Sequence, residues 1–414
     1  MASTVASLDY ALKERYTDKK VQSATLRDNV ALDMCSKDED FCGDVEPVPI
    51  IYGAPQGAGS TLAKAQSNKT NVVGKKWNIT VGDYFFAIDL GDKAMTAARK
   101  DLGSFLKHKA TEIEEGLQMV GNDLSLQFWG NGGAPFGQRA SISGNVITLT
   151  NRYDAQNFDI GMVIVASDND GSDAAHTLLT GSTVVTAVNY EAGTVTVDDA
   201  TDISSFGNND YLFRDGSFAG NVSQSQLWKG IQSWNPASAP TSGDNHFGMD
   251  RSSSSRLYGY RLPTALAVGT IEERLSKMAT EVNTLYGTTP RKGFVHPRQW
   301  HKLSKQLAAQ GVRPIEVKNK TGTWGYQSLQ FTTNYGQVDV CADRHCPILQ
   351  AHLLDMAHIK IKSMEKLVHA MNADGLQMLR GATTADYELR WVSYANVCVD
   401  KPSSMARGAL PAVT

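Results

Sequence analysis

The chain has 414 residues, enough for two or three domains with an extensive core, and its 36 glycines imply many turns. Forty basic against 43 acidic residues leave it near neutral, which gives no support to a role in coating nucleic acid. No apolar run approaches the roughly 20 residues that span a bilayer, and residues 1–30 lack the apolar centre of a secretion signal. A soluble protein made in the cytoplasm, with no membrane partner, is expected. Cys35, Cys42, Cys341, Cys346 and Cys398 are too few and too scattered for a disulfide scaffold and are expected to be free thiols.

In chain order, residues 1–45 are polar and mixed in charge, with short helical patterning from Leu8 to Tyr16. They read as an arm that orders on another surface. Pro47 to Gly82 contains no Asp or Glu but carries Lys64, Lys69, Lys75 and Lys76. "PVPIIY" and "KKWNITVGDYFFAIDL" have the composition of strands, so residues 46–91 are predicted to form a long hairpin or extended loop around a soft tip. The tip glycines are expected to supply slack. From Asp92 to Trp129 apolar residues, among them Leu102, Ile113, Leu117, Val120 and Leu124, recur at three- and four-residue steps. Lys93, Arg99, Glu112, Glu114, Glu115 and Asp123 occupy the polar positions. This pattern predicts one helix of up to about 55 Å. Gly103, Gly116 and Gly121 weaken it and allow a kink. No other helix of similar length is present to pair with it, so it is expected to lie across a sheet.

After "GNGGAPFGQ" the pattern turns to short strands: "SISGNVITLTN", "IGMVIVAS", "STVVTAVNYEAGTVTVDD" and "NDYLFRDG". Asn145 to Arg214 therefore reads as a small β-barrel or β-sandwich insertion, with "NYEAGT" as a hairpin turn. Residues 236–255 are rich in Ser, Gly and Pro, hence an exposed loop. The remainder is α+β: helices over Thr270–Tyr286 and Arg298–Gln310, a strand at "KGFVHP", a hairpin turning at Asn334–Gly336, and late strands at "HLLDMAHIKIK" and "DYELRWVSYANVCVD".

Candidate chemistry fails on spacing. "YGAPQGAGSTLAK" lacks the lysine that must directly follow the last glycine of a phosphate-binding loop, and the next segment is strand-like rather than a helix start. Cys341, His345, Cys346 and His352 lie close together but lack the second ligand pair of a structural zinc site, so core and loop roles are expected. "DNDGSD", Asp168 to Asp173, has its glycine two positions too early for a calcium loop and reads as a solvated turn. There is no nucleophile elbow and no local histidine–nucleophile pair. No catalytic residue, metal or cofactor is assigned.

The order of parts resembles the major capsid proteins of tailed bacteriophages, the Hong Kong ninety-seven fold shared with encapsulins. "NVITLTNRYDAQNFDIGMVIVAS", "GTIEERLSKMATEVNTLYG" and "DYELRWVSYANVCVDKPSSMARGAL" read like members of that family. The resemblance implies an α+β fold with an N-terminal arm (1–45), an E-loop hairpin (46–91), and a long spine helix with P-domain sheet (92–140). A β-rich insertion (141–220), an A-domain (221–345), and strands completing the A- and P-domains (346–414) would follow. It implies hexamers and pentamers of an icosahedral virion shell around double-stranded DNA, assembled in the host bacterial cytoplasm. Partners would be neighbouring capsomers, a portal protein, scaffold and cement or decoration proteins, and DNA held non-specifically. The alternatives are an encapsulin-like compartment and, in a different class, a soluble enzyme with a site assembled from distant residues. On the capsid reading, Lys64, Lys69, Lys75, Lys76 and the adjoining Trp77 are inter-subunit contact candidates, facing Glu112, Glu114 and Glu115 of a neighbour. The alternative is that these lysines keep an exposed hairpin soluble and discourage edge pairing.

Overall fold

The computed structural model describes residues 29–90, 102–172, 178–201, 203–217, 227–309, 328–333, 336–371, 379–380 and 387–412. Most of the expected arm, residues 91–101 at the start of the long helix, and the turn residue Asn334 lie outside the described residues. The chain divides into two compact units. One comprises the described part of Met1–Leu32 with Gly82–Ser233 and Glu365–Ala395; the other comprises Asp33–Val81, Trp234–Met364 and Asn396–Thr414.

Strand β1 (Ser36–Asp38) precedes the predicted hairpin, which is formed by β2 (Val45–Gly53) and β3 (Val73–Thr80). Between them the expected soft tip contains a helix, α1 (Leu62–Ser67), whose N-cap Thr61 hydroxyl accepts from the Lys64 N–H. β4 (Gly82–Leu90) leads towards α2 (Leu102–Trp129), 28 residues and about 42 Å long. α2 runs unbroken through Gly116 and Gly121. A Cβ at Gly116 would stand 2.7 Å from Ile88 Cδ1 and 2.9 Å from Phe86 Cε1, both on β4. The glycine that weakens the helix by about 1 kcal/mol thus lets a strand pack against it. Ile113, Leu117, Val120 and Leu124 form the buried stripe.

The insertion is a closed barrel. β5 (Gly137–Ser143), β6 (Val146–Leu149), β7 (Val163–Ser167), β8 (Thr183–Asn189), β9 (Thr194–Val197) and β10 (Tyr211–Arg214) join in the order β10-β5-β6-β9-β8-β7. It begins at Gly137, before the expected residue 141, because β5 starts at once after the glycine-rich break and Phe136 already belongs to its core with Ile147, Phe158, Ile164 and Val195. Gly193, at φ +69°, makes the turn predicted at "NYEAGT"; a Cβ there would lie 2.4 Å from Arg152 Cα.

Asp154 beside this core gives a pH prediction. Burial pushes its carboxyl up to about 7, against the hydrogen bond from Asn151 Nδ2 at 2.7 Å. A folded pKa above the unfolded value of about 3.9 means that the protonated form is favoured in the barrel. Its contribution to stability is present below pH ~4 and is lost progressively as pH rises through ~7. Asp154→Asn should therefore melt higher than the parent at pH 8, by a margin that shrinks as pH falls from 7 to 4. An equal margin at every pH would refute it.

The loop expected at 236–255 contains a small hairpin, β11 (Asn245–His246) and β12 (Met249–Asp250), followed by β13 (Tyr260–Arg261). α3 (Ile271–Tyr286) has a full capping box between Thr270 and Glu273 and ends at Gly287 with φ +65°. β14 (Lys292–Val295), α4 (Pro297–Ala309), β15 (Ser328–Thr333), β16 (Gly336–Ala342) and β17 (Gln350–Leu354) follow. Next come β18 (Ile359–Ser363), β19 (His369–Ala370), β20 (Leu379–Arg380), β21 (Tyr387–Val399) and β22 (Ala406–Ala409). One sheet of the second unit has the order β13-β22-β17-β14-β16-β15. Its core joins Leu275 and Met278 of α3 to Val295, Val340 and Leu353 of the strands, with Leu303 of α4. In the first unit β4 pairs antiparallel with β21, from Gly82↔Ala395 to Leu90↔Tyr387, so the late strand does return to the neighbourhood of the long helix. Among the described residues no helix is long and apolar enough to cross a membrane.

Candidate assembly interface

The hairpin register decides which way each of its side chains points. Val48↔Trp77 and Ile50↔Lys75 share one face; Pro49↔Lys76 and Ile51↔Gly74 share the other. The first face is anchored in its own unit. Trp77 is fully buried, edge-on to Trp234 at 5.1 Å and to His246 at 5.8 Å, while Trp234 Nε1 donates to Val397 O at 3.0 Å. Asn78 N donates to Phe247 O at 3.0 Å, Asn396 Nδ2 to Thr80 O at 2.8 Å, and Arg256 Nη1 to Tyr52 O at 3.0 Å. Lys362 joins Glu46 at the hairpin root to Asp38 of β1. Trp77, expected at a subunit contact, is therefore the hairpin's internal anchor.

The tip is knitted rather than slack. Thr70 N donates to Gln56 O at 2.8 Å, Gln56 N to Thr70 Oγ1 at 2.7 Å, and Asn68 Nδ2 to Ala58 O at 3.0 Å. A Cβ at Gly59 would come within 2.8 Å of Ala65 N, and one at Gly53 within 2.8 Å of Val73 Cβ. These glycines permit close packing of the loop upon itself.

Lys64, Lys69, Lys75 and Lys76 are all exposed, and none of them has an ion pair among the described residues. The pleat separates the last two. Lys75 is on the anchored face, where it adds a little to the hydrogen bonds, led by Ser252, that hold the Asp250 carboxyl below its usual range. Lys76 is on the outer face. The hairpin also exposes large apolar side chains, Ile51 at 72% and Leu62 at 75%, together with Val45, Val72 and Val73. Glu114 and Glu115 are exposed on α2 in the other unit; the side chain of Glu112 lies outside the described residues.

One polar node was not foreseen. Asp123, assigned by periodicity to the polar face of the helix, is buried; it accepts from Tyr84 Oη at 2.7 Å and from the Arg214 guanidinium. It ties α2 to β4 and β10. Burial pushes its carboxyl up, with Arg214 pulling it back. A signal existed: after Glu115 Asp123 is the only charged residue up to Trp129, and Ser125 and Gln127 beside it are buried as well.

The metal-like clusters are ordinary structure. Burial pushes the Cys341 thiol up to about 11 and the His345 and His352 imidazoles down to about 3, so all are neutral in the protein. No group of three or more His, Cys, Asp or Glu positioned for a metal occurs among the described residues. In the Asp168–Ser172 turn, Asn169 Oδ1 accepts from Gly171 N at 2.8 Å, and Asp170 Oδ1 accepts from the Ser172 N–H and hydroxyl. These side-chain oxygens close turns. All five cysteines are free, and only Cys42 is exposed.

The fold has likenesses among solved structures. The chain is similar to a chain of the cyanophage A-1(L) capsid asymmetric unit, with 10% identity over 92% of both chains and a TM-score of 0.52, a likeness of fold. Residues 207–398, just under half of the chain, match the family model described as SU10 major capsid protein. Over those residues the chain is similar to major capsid proteins, and its fold is one found in a phage capsid. The chain also resembles a structure from Mycobacterium phage Bobi, with 8% identity, 93% and 91% coverage and a TM-score of 0.44. The SrpI encapsulin of Synechococcus elongatus PCC 7942 is similar at 7% identity, 93% and 88% coverage and a TM-score of 0.46. No curated protein sequence matches it. A capsid protein is a structural subunit of the virion, repeated in a multimeric shell, and the family match favours the phage shell over the encapsulin and enzyme alternatives.

Proposed function

We propose that the chain is a phage major capsid protein that builds the hexamers and pentamers of an icosahedral shell around double-stranded DNA, with the Val45–Thr80 hairpin as an E-loop that lies across a neighbouring copy. One observation carries the reading. The hairpin's root is fixed by Trp77, while the hairpin carries exposed Ile51 and Leu62 and four exposed lysines with no ion pair among the described residues. Single exposed apolar residues are ordinary, but several on one projecting element beside unneutralised charge suit a contact completed by another subunit. α2 serves as spine helix, residues 1–45 as the arm and 221–345 as the A-domain. Portal, scaffold and cement proteins act on the assembled lattice in the host cytoplasm, and DNA is held without sequence preference.

Glu114 and Glu115 of a neighbour, with Glu112, are the acceptors for the lysines. Because Lys75 and Lys76 point to opposite faces, Lys64, Lys69 and Lys76 form the outward set and Lys75 contributes least. Reversing all four lysines to glutamate should abolish shells, seen by electron microscopy, while the subunit stays folded. Parent assembly should weaken with salt as the Debye length shortens from about 10 Å at 0.1 M. Normal, salt-independent assembly of the reversed variant would remove the lysine contact while leaving the shell function intact.

A further inference from the structure

In the parallel pairing of β13 with β22, Arg261 stands directly opposite Arg407. Side chains so paired lie on one face of the sheet at close range, where like charges repel. Among the described residues no carboxylate pairs with either guanidinium. Arg407 Nη1 donates to the backbone carbonyl of Asn235 at 3.3 Å, and the Arg261 guanidinium lies over the Tyr258 ring at 4.7 Å. Arg261 Nη1 is buried with no acceptor among the described residues. His352, the next residue across from Arg407, is buried and neutral. Arg214, Arg251 and Arg390, by contrast, meet the carboxylates of Asp123, Asp244 and Glu388. Burial and then Arg261 lower the Arg407 pKa, and no Asp or Glu raises it.

We propose that Arg261 and Arg407 form a two-guanidinium clamp for an oxyanion, supplied as a side-chain carboxylate by a second copy of this chain. Guanidinium groups bind carboxylates bidentately, through whichever of their N–H groups remain accessible. Both arginines are only partly covered, and β13 is the terminal strand of its sheet, so the pair is open to another chain. A shell packs copies of this chain, each with 43 acidic residues, against one another. The clamp rests on the shell reading: in a lone subunit it is incomplete, and assembly supplies the missing charge.

The test uses DNA-free shells of the full chain, assembled from a mixture of isotope-labelled and unlabelled copies of R261K or R407K. A carbodiimide joins lysine, but not arginine, directly to a carboxylate in contact. Mass spectrometry should find the substituted peptide joined to an acidic peptide of the other isotopic label. In parallel, R261Q/R407Q should melt as high as the parent in isolation, because repulsion has been removed, yet give shells in a yield reduced at least about tenfold. Absence of mixed-label cross-links, or an undiminished shell yield from R261Q/R407Q, would overturn the proposal. Sulfate that raises the melting point of the isolated parent, with no mixed-label cross-link, would assign the pair to a free anion instead. Failure of the parent chain itself to form shells would strike the shell reading, not the clamp.

Discussion

Replacing Asp123 by alanine is expected to destabilise the first unit by about 3–5 kcal/mol, the usual effect of removing one partner of a buried ion pair. The loss arises because Arg214 and the Tyr84 hydroxyl are left without their acceptor. The Arg214 side chain keeps 23% exposure and can be rehydrated in part, which favours the lower end of that range. Tyr84→Phe removes one hydrogen bond to a charged group and should cost about 1.5–3 kcal/mol. Denaturant unfolding of the two variants measures both. An Asp123→Ala loss below that of Tyr84→Phe would show that the node does not hold helix, strand and barrel together.

Trp77→Ala should have a comparable effect in the second unit, about 3–5 kcal/mol, the range for emptying a fully buried aromatic site. Its consequence is local as well as global. Trp77 holds the hairpin to Trp234 and His246, so its loss frees the hairpin's anchored face. Limited proteolysis between Tyr52 and Lys76 should accelerate before the rest of the unit unfolds, and shell yield should fall with it. The Trp77 indole N–H is buried without an acceptor among the described residues, so Trp77→Phe loses volume but no such hydrogen bond and should retain most of the stability. A hairpin cut no faster in Trp77→Ala than in the parent would refute the anchoring role.

Patterns with a fixed period were legible in the sequence. The stripe from Ile113 to Leu124 gives α2, and short alternating runs between glycine and asparagine turns give the barrel strands. What failed depended on distant partners. Gly116 reads as a weak point of a helix until Ile88 and Phe86 are seen against it. Trp77 sits beside lysines in sequence, yet its neighbours, Trp234 and His246, are far along the chain, so its inward direction had no local signal. α1 is six residues long, too short for periodicity or propensity to announce, since an isolated helix of that length does not form by itself. The opposite orientations of Lys75 and Lys76 follow from a register that composition does not specify, and a shift by one residue would exchange them.

The knitted hairpin tip bears on how a lattice corrects its mistakes. A floppy loop that ordered only on docking would lose about 1–2 kcal/mol of backbone entropy for each residue fixed, and strong contacts would be needed to offset it. Here Gln56, Thr70, Ala58 and Asn68 fix the tip during folding of the subunit. On the proposed docking of the hairpin across a neighbouring copy, weak contacts then suffice, and weak contacts dissociate quickly. A subunit added in the wrong place can leave before later arrivals lock it in, so proofreading during growth begins with hydrogen bonds made inside a single loop.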